Sequence, residues 1–241
     1  MRIEMNGDSY VRTLLAEAHE RSKAVLLVST LSAALVLSAA ERSSPLLIVG
    51  DSHAACRLPH SAVDAWIVAD LLGVPASRRL AVSGSTAAQW SSDHLGWLSA
   101  ATNCHAPVVW VSLGGNDVGA ALADGRIDVI ERISIVARLY DAVFALAQHR
   151  RLVVGTLYAD PFQGARADYA EGAELLDSGI SNIVALACGA AGTPWALLDE
   201  RAVLGREDYD GSGDLHPGAC GYTNLALRLR TIIKEKSNAA R

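Results

Sequence analysis

The chain has 241 residues, 51% hydrophobic and 20% charged, with a formal net charge of -5. That is enough apolar sequence for one α/β domain with a full core plus a short extra segment, and it excludes a disordered chain. The acidic balance and the lack of a dense Lys/Arg run argue against an electrostatic nucleic-acid binder. The four cysteines (Cys56, Cys104, Cys188 and Cys220) show no CxxC or zinc-ribbon spacing and are too sparse for a disulfide scaffold, with room for one or two bridges if the protein is exported.

Residues 1–43 read as a segment apart from a domain at 44–241. Its Gly7-Asp8-Ser9 opens an amphipathic stretch, so Asp8 or Ser9 reads as a helix N-cap. Val11, Leu14, Leu15 and Ala18 follow at helical spacing. Ala24 to Ala40 carries no charge and lies between Arg21 and Lys23 on one side and Glu41 and Arg42 on the other. A membrane span needs about 20 apolar residues, and this run is shorter and contains four Ser/Thr. It also resembles a signal-peptide core, with Ser38 and Ala40 placed as at a cleavage site. Export or anchoring, with membrane contact through 24–40, stands beside a soluble intracellular protein whose helical arm packs on itself or a partner.

From Ser44 onward, short β-type runs alternate with helix-like stretches. The strands are expected at Leu46–Val49, Leu80–Val82, Val108–Val111, Leu152–Val154 and Trp195–Leu198. The helices are expected at about Val63–Leu72, Ile127–Gln148, Ala173–Cys188 and Tyr222–Lys234. This alternation implies a parallel sheet covered by helices, with ligands bound at the carboxyl ends of the strands. Tyr158 to Glu171 reads as one long irregular loop facing a substrate.

A second Gly-Asp-Ser, Gly50-Asp51-Ser52, directly follows the first strand and precedes an expected helix. A serine hydroxyl there is presented above the sheet. Acyl transfer also needs a base and donors for an oxyanion. "AVSGSTAAQW" supplies Gly84, whose backbone N–H is a donor. "VSLGGNDVGA" supplies Asn116, whose side-chain amide is another, and "GDLHPGACGY" supplies His216. All of these fall in loops beyond strands, in this order.

Gly50-Asp51-Ser52, Gly84, Gly114-Gly115-Asn116-Asp117 and His216-Pro217 resemble the four blocks of the SGNH hydrolases, the GDSL-type esterases and lipases. The resemblance spans about Ser44 to Lys236. It implies a flavodoxin-like three-layer α/β/α sandwich with a five-stranded parallel sheet. It implies Ser52 as nucleophile and His216 as general base. The implied oxyanion hole is formed by the Ser52 and Gly84 backbone N–H groups and the Asn116 side chain, with no metal or cofactor. The family usually places its triad acid three residues before the histidine, and here that residue is Gly213. Asp214 is the favoured substitute, Asp210 is further away, and a backbone carbonyl holding the ring gives a Ser-His dyad instead.

His53, Cys56 and His60 lie near each other, but Pro59 interrupts the helix that would bring them together, and a metal site is disfavoured. His53 is a candidate for the pocket entrance, and Trp90 and Phe162 are candidates for stacking on a sugar or touching an acyl chain, with ordinary packing as the alternative. Asp51 and Asp117 read as shaping their turns. No large apolar insertion suggests a lid, which favours short acyl groups. The expected function is therefore an esterase cleaving acyl, foremost acetyl, esters of a polar small-molecule or carbohydrate substrate. An acyltransferase using the same residues and a non-catalytic binding or assembly protein are the alternatives.

Overall fold

In the computed structural model, the described residues are 45–123, 129–159, 167–209 and 215–239. The readings made for 1–43, including the apolar run at 24–40, lie outside them, as do Phe162, Asp210 and Asp214. Among the described residues no helix is long and apolar enough to cross a membrane.

The apolar runs form strands β1 (Leu46–Gly50), β2 (Val108–Ser112), β3 (Leu152–Leu157) and β4 (Trp195–Asp199). They pair in parallel in the order β1-β2-β3-β4. β1, β2 and β3 are buried throughout, as expected for strands covered on both faces, while β4 alternates buried and half-buried residues. Among the described residues the sheet has four strands, not the expected five. The segment expected as the fifth, Leu80–Val82, does run beside β1. Leu80 N donates to Ile48 O at 2.9 Å and Val82 N to Gly50 O at 2.8 Å. A 3-10 turn at Ala76–Arg78 enters this segment and a turn at Gly84 (φ +80°) leaves it, so the pairing is too short to form a strand.

The helices are α1 (Ile67–Leu71), α2 (Ala87–Ser91), α3 (Trp97–Asn103), α4 (Gly115–Ala123), α5 (Val129–Ala147), α6 (Ala167–Ala191) and α7 (Ala219–Ala239). α1 starts later than its apolar pattern suggests because Ala65 N and Trp66 N donate back to Cys56 O and Ala55 O. α6 starts earlier, so Ala167 to Glu171 is helical rather than part of a loop. α2, α3 and α4 were not expected.

Side chains alternate across the sheet, as strand geometry requires. Leu47, Val49, Val109, Val111 and Val153 pack with Trp90, Leu139, Leu146, Ile183 and Val184 from α2, α5 and α6. Leu46, Ile48, Trp110, Val154 and Leu198 pack with Val68, Tyr222, Leu225 and Leu229 from α1 and α7. The result is three layers, α/β/α. At the amino ends of β2 and β3, the buried Arg150 guanidinium donates to the carbonyls of Ala101 and Ala106 at 2.6 Å each, and to that of Cys104. The four cysteines are free thiols.

Candidate active site

The site begins where β1 ends. Gly50 adopts φ +140°, and a Cβ there would fall 2.0 Å from the Ser112 carbonyl oxygen on β2. Only glycine allows this approach. The next residue is fixed from the same neighbour: Asp51 N donates to Ser112 O at 2.9 Å. Beyond it the chain turns over 51–56 well before α1 begins, with Ala55 N donating to Asp51 O and Arg57 N to Ser52 O. Ser52 is thus presented at the carboxyl end of the sheet on a tightly bonded turn.

His216 arrives from the loop before α7. Its Nε2 lies 2.8 Å from Ser52 Oγ, the geometry of a hydroxyl donating to a neutral imidazole. Asn116 sits in the first turn of α4. Its Nδ2 donates to the Ser85 carbonyl at 2.9 Å. An amide has two N–H groups, so this bond fixes the side chain and leaves the second N–H for a substrate oxygen. Asp117 braces the same corner from the other side, accepting from Ala87 N at 2.7 Å and Ala88 N at 3.4 Å at the start of α2. Burial raises its pKa against the pull of those donors.

Gly84 is exposed in its turn, one residue before the Ser85 carbonyl that holds Asn116. Ser85 Oγ donates to Gly50 O at 3.0 Å and accepts from Trp90 Nε1 at 3.0 Å. Trp90 is therefore a fully buried support of the Gly84 turn. The expectation that it stacks on substrate is corrected, because its ring lies in the core and its N–H is already used.

His53 is placed differently from the entrance position expected for it. It is buried under the serine, with Nδ1 3.3 Å from Glu200 Oε1. Around it lies a polar layer that the sequence reading missed except for Asp51. Asp51 accepts from Tyr158 OH at 2.6 Å, Ser112 Oγ at 3.1 Å and His53 N at 3.1 Å. Burial nevertheless pushes the Asp51 carboxyl above its ordinary pKa. Burial, and then the Asp51 charge, push the Tyr158 phenol well above its own. Tyr158 and Glu200 each stand just beyond a strand's carboxyl end, and that placement was the available signal.

Ser52, His53, Asn116, Tyr158, Leu215 and His216 line a cavity of about 170 Å³, whose wall from α4 presents Gly115, Val118, Gly119 and Ala120. Cys56 takes no part: its Sγ accepts from Val68 N at 3.4 Å in the core, and His60 is exposed, so His53, Cys56 and His60 do not converge. The arrangement suits transfer of a small acyl group through a serine.

No protein-family model and no curated protein matches the chain. Solved structures do. Axe2, an acetylxylan esterase from Geobacillus stearothermophilus, superposes with a TM-score of 0.54 at 16% identity, covering 79% of this chain and 93% of that one. A family 3 carbohydrate esterase from Clostridium thermocellum gives 0.52 at 17% identity, covering 81% and 98%. A member of the lipolytic G-D-S-L family from Veillonella parvula gives 0.53 at 15% identity, covering 78% and 97%. The chain has the SGNH hydrolase fold.

Proposed function

We propose that the protein is a serine esterase that removes short acyl groups, foremost acetyl, from a carbohydrate or other polar alcohol. The observation that carries this reading is the 2.8 Å approach of His216 Nε2 to Ser52 Oγ inside a small cavity that Asn116 also lines. Ser52 Oγ attacks the ester carbonyl while its proton passes to Nε2. The oxyanion develops against the N–H groups of Ser52 and Gly84 and the free amide hydrogen of Asn116. The tetrahedral adduct collapses, the alcohol leaves with the proton from Nε2, and an acyl-enzyme remains. Water, deprotonated by His216, then releases the acid. In this scheme Asp214 orients the imidazole and stabilises its charged form.

The cavity supports the acyl preference. At about 170 Å³ it is smaller than the roughly 300–1,000 Å³ typical of drug-sized ligands. The carbohydrate part of the proposal is supported by the solved neighbours, among them an acetylxylan esterase and a family 3 carbohydrate esterase. The test is a panel of p-nitrophenyl esters of increasing chain length, with acetylated xylo-oligosaccharides alongside and Ser52→Ala as control. The highest kcat/KM is expected for acetyl, falling steeply with chain length, and Ser52→Ala should lose both turnover and fluorophosphonate labelling. Undiminished labelling of that variant overturns the assignment.

A further inference from the structure

Under the serine lie ionisable groups to which the acyl-transfer steps give no task. His53, the residue after the nucleophile, puts Nδ1 3.3 Å from Glu200 Oε1, and Glu200 is wholly buried. Glu200 sits in the 3-10 turn that follows β4. Its Oε2 accepts from Ala159 N at 3.3 Å, beyond the end of β3. Tyr158 meets the imidazole edge-on with ring centroids 5.1 Å apart, and His216 faces it at 5.6 Å. The Leu215 carbonyl, on the residue before the general base, also lies against the ring, and Asp51 faces it from its own turn.

Packing alone does not explain this arrangement. A buried ion pair is often no more stabilising than apolar residues of the same volume, so its benefit has to lie elsewhere. Here it joins the nucleophile turn, the ends of β3 and β4, and the loop that carries the base. Of these segments, the ends of β3 and β4 are paired in the sheet, Leu157 with Asp199, while the nucleophile turn and the loop that carries the base are distant in sequence and lie outside that pairing.

We propose that His53 is a positioning residue for the esterase reaction: clamped to Glu200, it supports the Leu215–His216 peptide and so keeps His216 Nε2 on the Ser52 hydroxyl. This rests on the esterase reading. Bonding Glu200 and the Leu215 carbonyl together takes two ring N–H donors, which only the charged imidazole has. Burial disfavours that charge, but Glu200 foremost, with Asp51 and the Leu215 carbonyl, outweighs it, and the His53 pKa rises from 6.5 to about 9. A folded-state pKa above the unfolded one stabilises fully below the unfolded value. The clamp is thus complete below pH 6.5 and is lost as pH rises through about 9. Asp51, Tyr158, Glu200 and His216 are the titratable groups that face it.

The experiment follows p-nitrophenyl acetate hydrolysis by the full chain from about pH 6 to pH 10, with the His53 ring signal tracked by NMR over the same range. Wild-type kcat is expected to fall along an alkaline limb that coincides with deprotonation of His53 near pH 9. His53→Gln should lower kcat about 100-fold, as small misplacements of catalytic groups do, leave KM within about twofold, and abolish the limb. Glu200→Gln should move the limb to lower pH. Full kcat in His53→Gln with the limb intact refutes the proposal while leaving the esterase reading standing. A wild-type chain that neither hydrolyses esters nor takes the fluorophosphonate label removes both. If the variants do not fold, wild type decides: a limb that does not follow the His53 signal refutes the proposal.

Discussion

Gly50→Ala tests how the nucleophile turn is set. The added methyl group would lie 2.0 Å from the Ser112 carbonyl oxygen, and 2.8 and 2.9 Å from the carbon and nitrogen of the same residue. All three are backbone atoms of a central strand, so no side chain can swing away. Relief needs β1 and β2 to part by about 1 Å, which takes the 2.9 Å bond from Asp51 N to Ser112 O out of hydrogen-bonding range. Losing a buried bond and leaving its groups unsatisfied costs about 1–3 kcal/mol. Holding alanine at φ +140°, a region reserved for glycine, costs about 1–3 kcal/mol more. A destabilisation of about 2–6 kcal/mol is therefore expected, a large share of the total of about 5–15 kcal/mol typical of a domain. Urea unfolding followed by circular dichroism gives the stability. Fluorophosphonate labelling of whatever remains folded reports on Ser52, whose attack geometry moves with Asp51. A variant within about 1 kcal/mol of wild type that labels at the wild-type rate would refute the argument.

Asn116→Ala is expected to lower kcat about 10²- to 10³-fold with KM little changed, as when one oxyanion donor is removed. It also leaves the Ser85 carbonyl without its 2.9 Å partner, so urea unfolding should show a loss of about 1 kcal/mol. Asp214→Asn is expected to cost about 10⁴-fold in kcat through a wrong imidazole tautomer, with Asp210→Asn nearly silent. Near-normal turnover in a folded Asp214→Asn protein would leave a Ser52–His216 dyad as the better description.

The strands were readable because each is a short apolar run, and a parallel sheet covered on both faces demands such runs from its strands. The same logic overreached at Leu80–Val82, where β-type residues do lie along β1 but turns on both sides leave too few of them to form a strand. α2 was missed although its signature is written in the chain: Thr86 and Gln89 form a capping box, each side chain bonding the other residue's backbone N–H. α4 was missed because Gly114 and Gly115 suggest a loop, yet Gly115 is the first residue of the helix that carries Asn116. Ser52 and His216 were named from their sequence blocks, and their 2.8 Å approach follows from the fold. Glu200 had only its place after β4 as a signal, too weak to name it. A lone carboxylate after a strand says nothing until tertiary packing puts a histidine next to it.

Arg150 divides the molecule along its strand axis. Its guanidinium gathers carbonyls from the end of α3 and the loop entering β2, all at the end of the sheet opposite Ser52. Burial lowers its pKa, yet a guanidinium keeps its charge, so these bonds are insensitive to the pH changes that reach the His53–Glu200 pair. One end of the sheet is therefore a fixed anchorage and the other holds the titrating chemistry. The carbonyls that Arg150 gathers belong to none of the loops at the chemical end. A scaffold divided in this way can vary its rim while Arg150 holds the far end, provided that Tyr158 and Glu200, the first residues beyond β3 and β4, keep their places around Asp51 and His53.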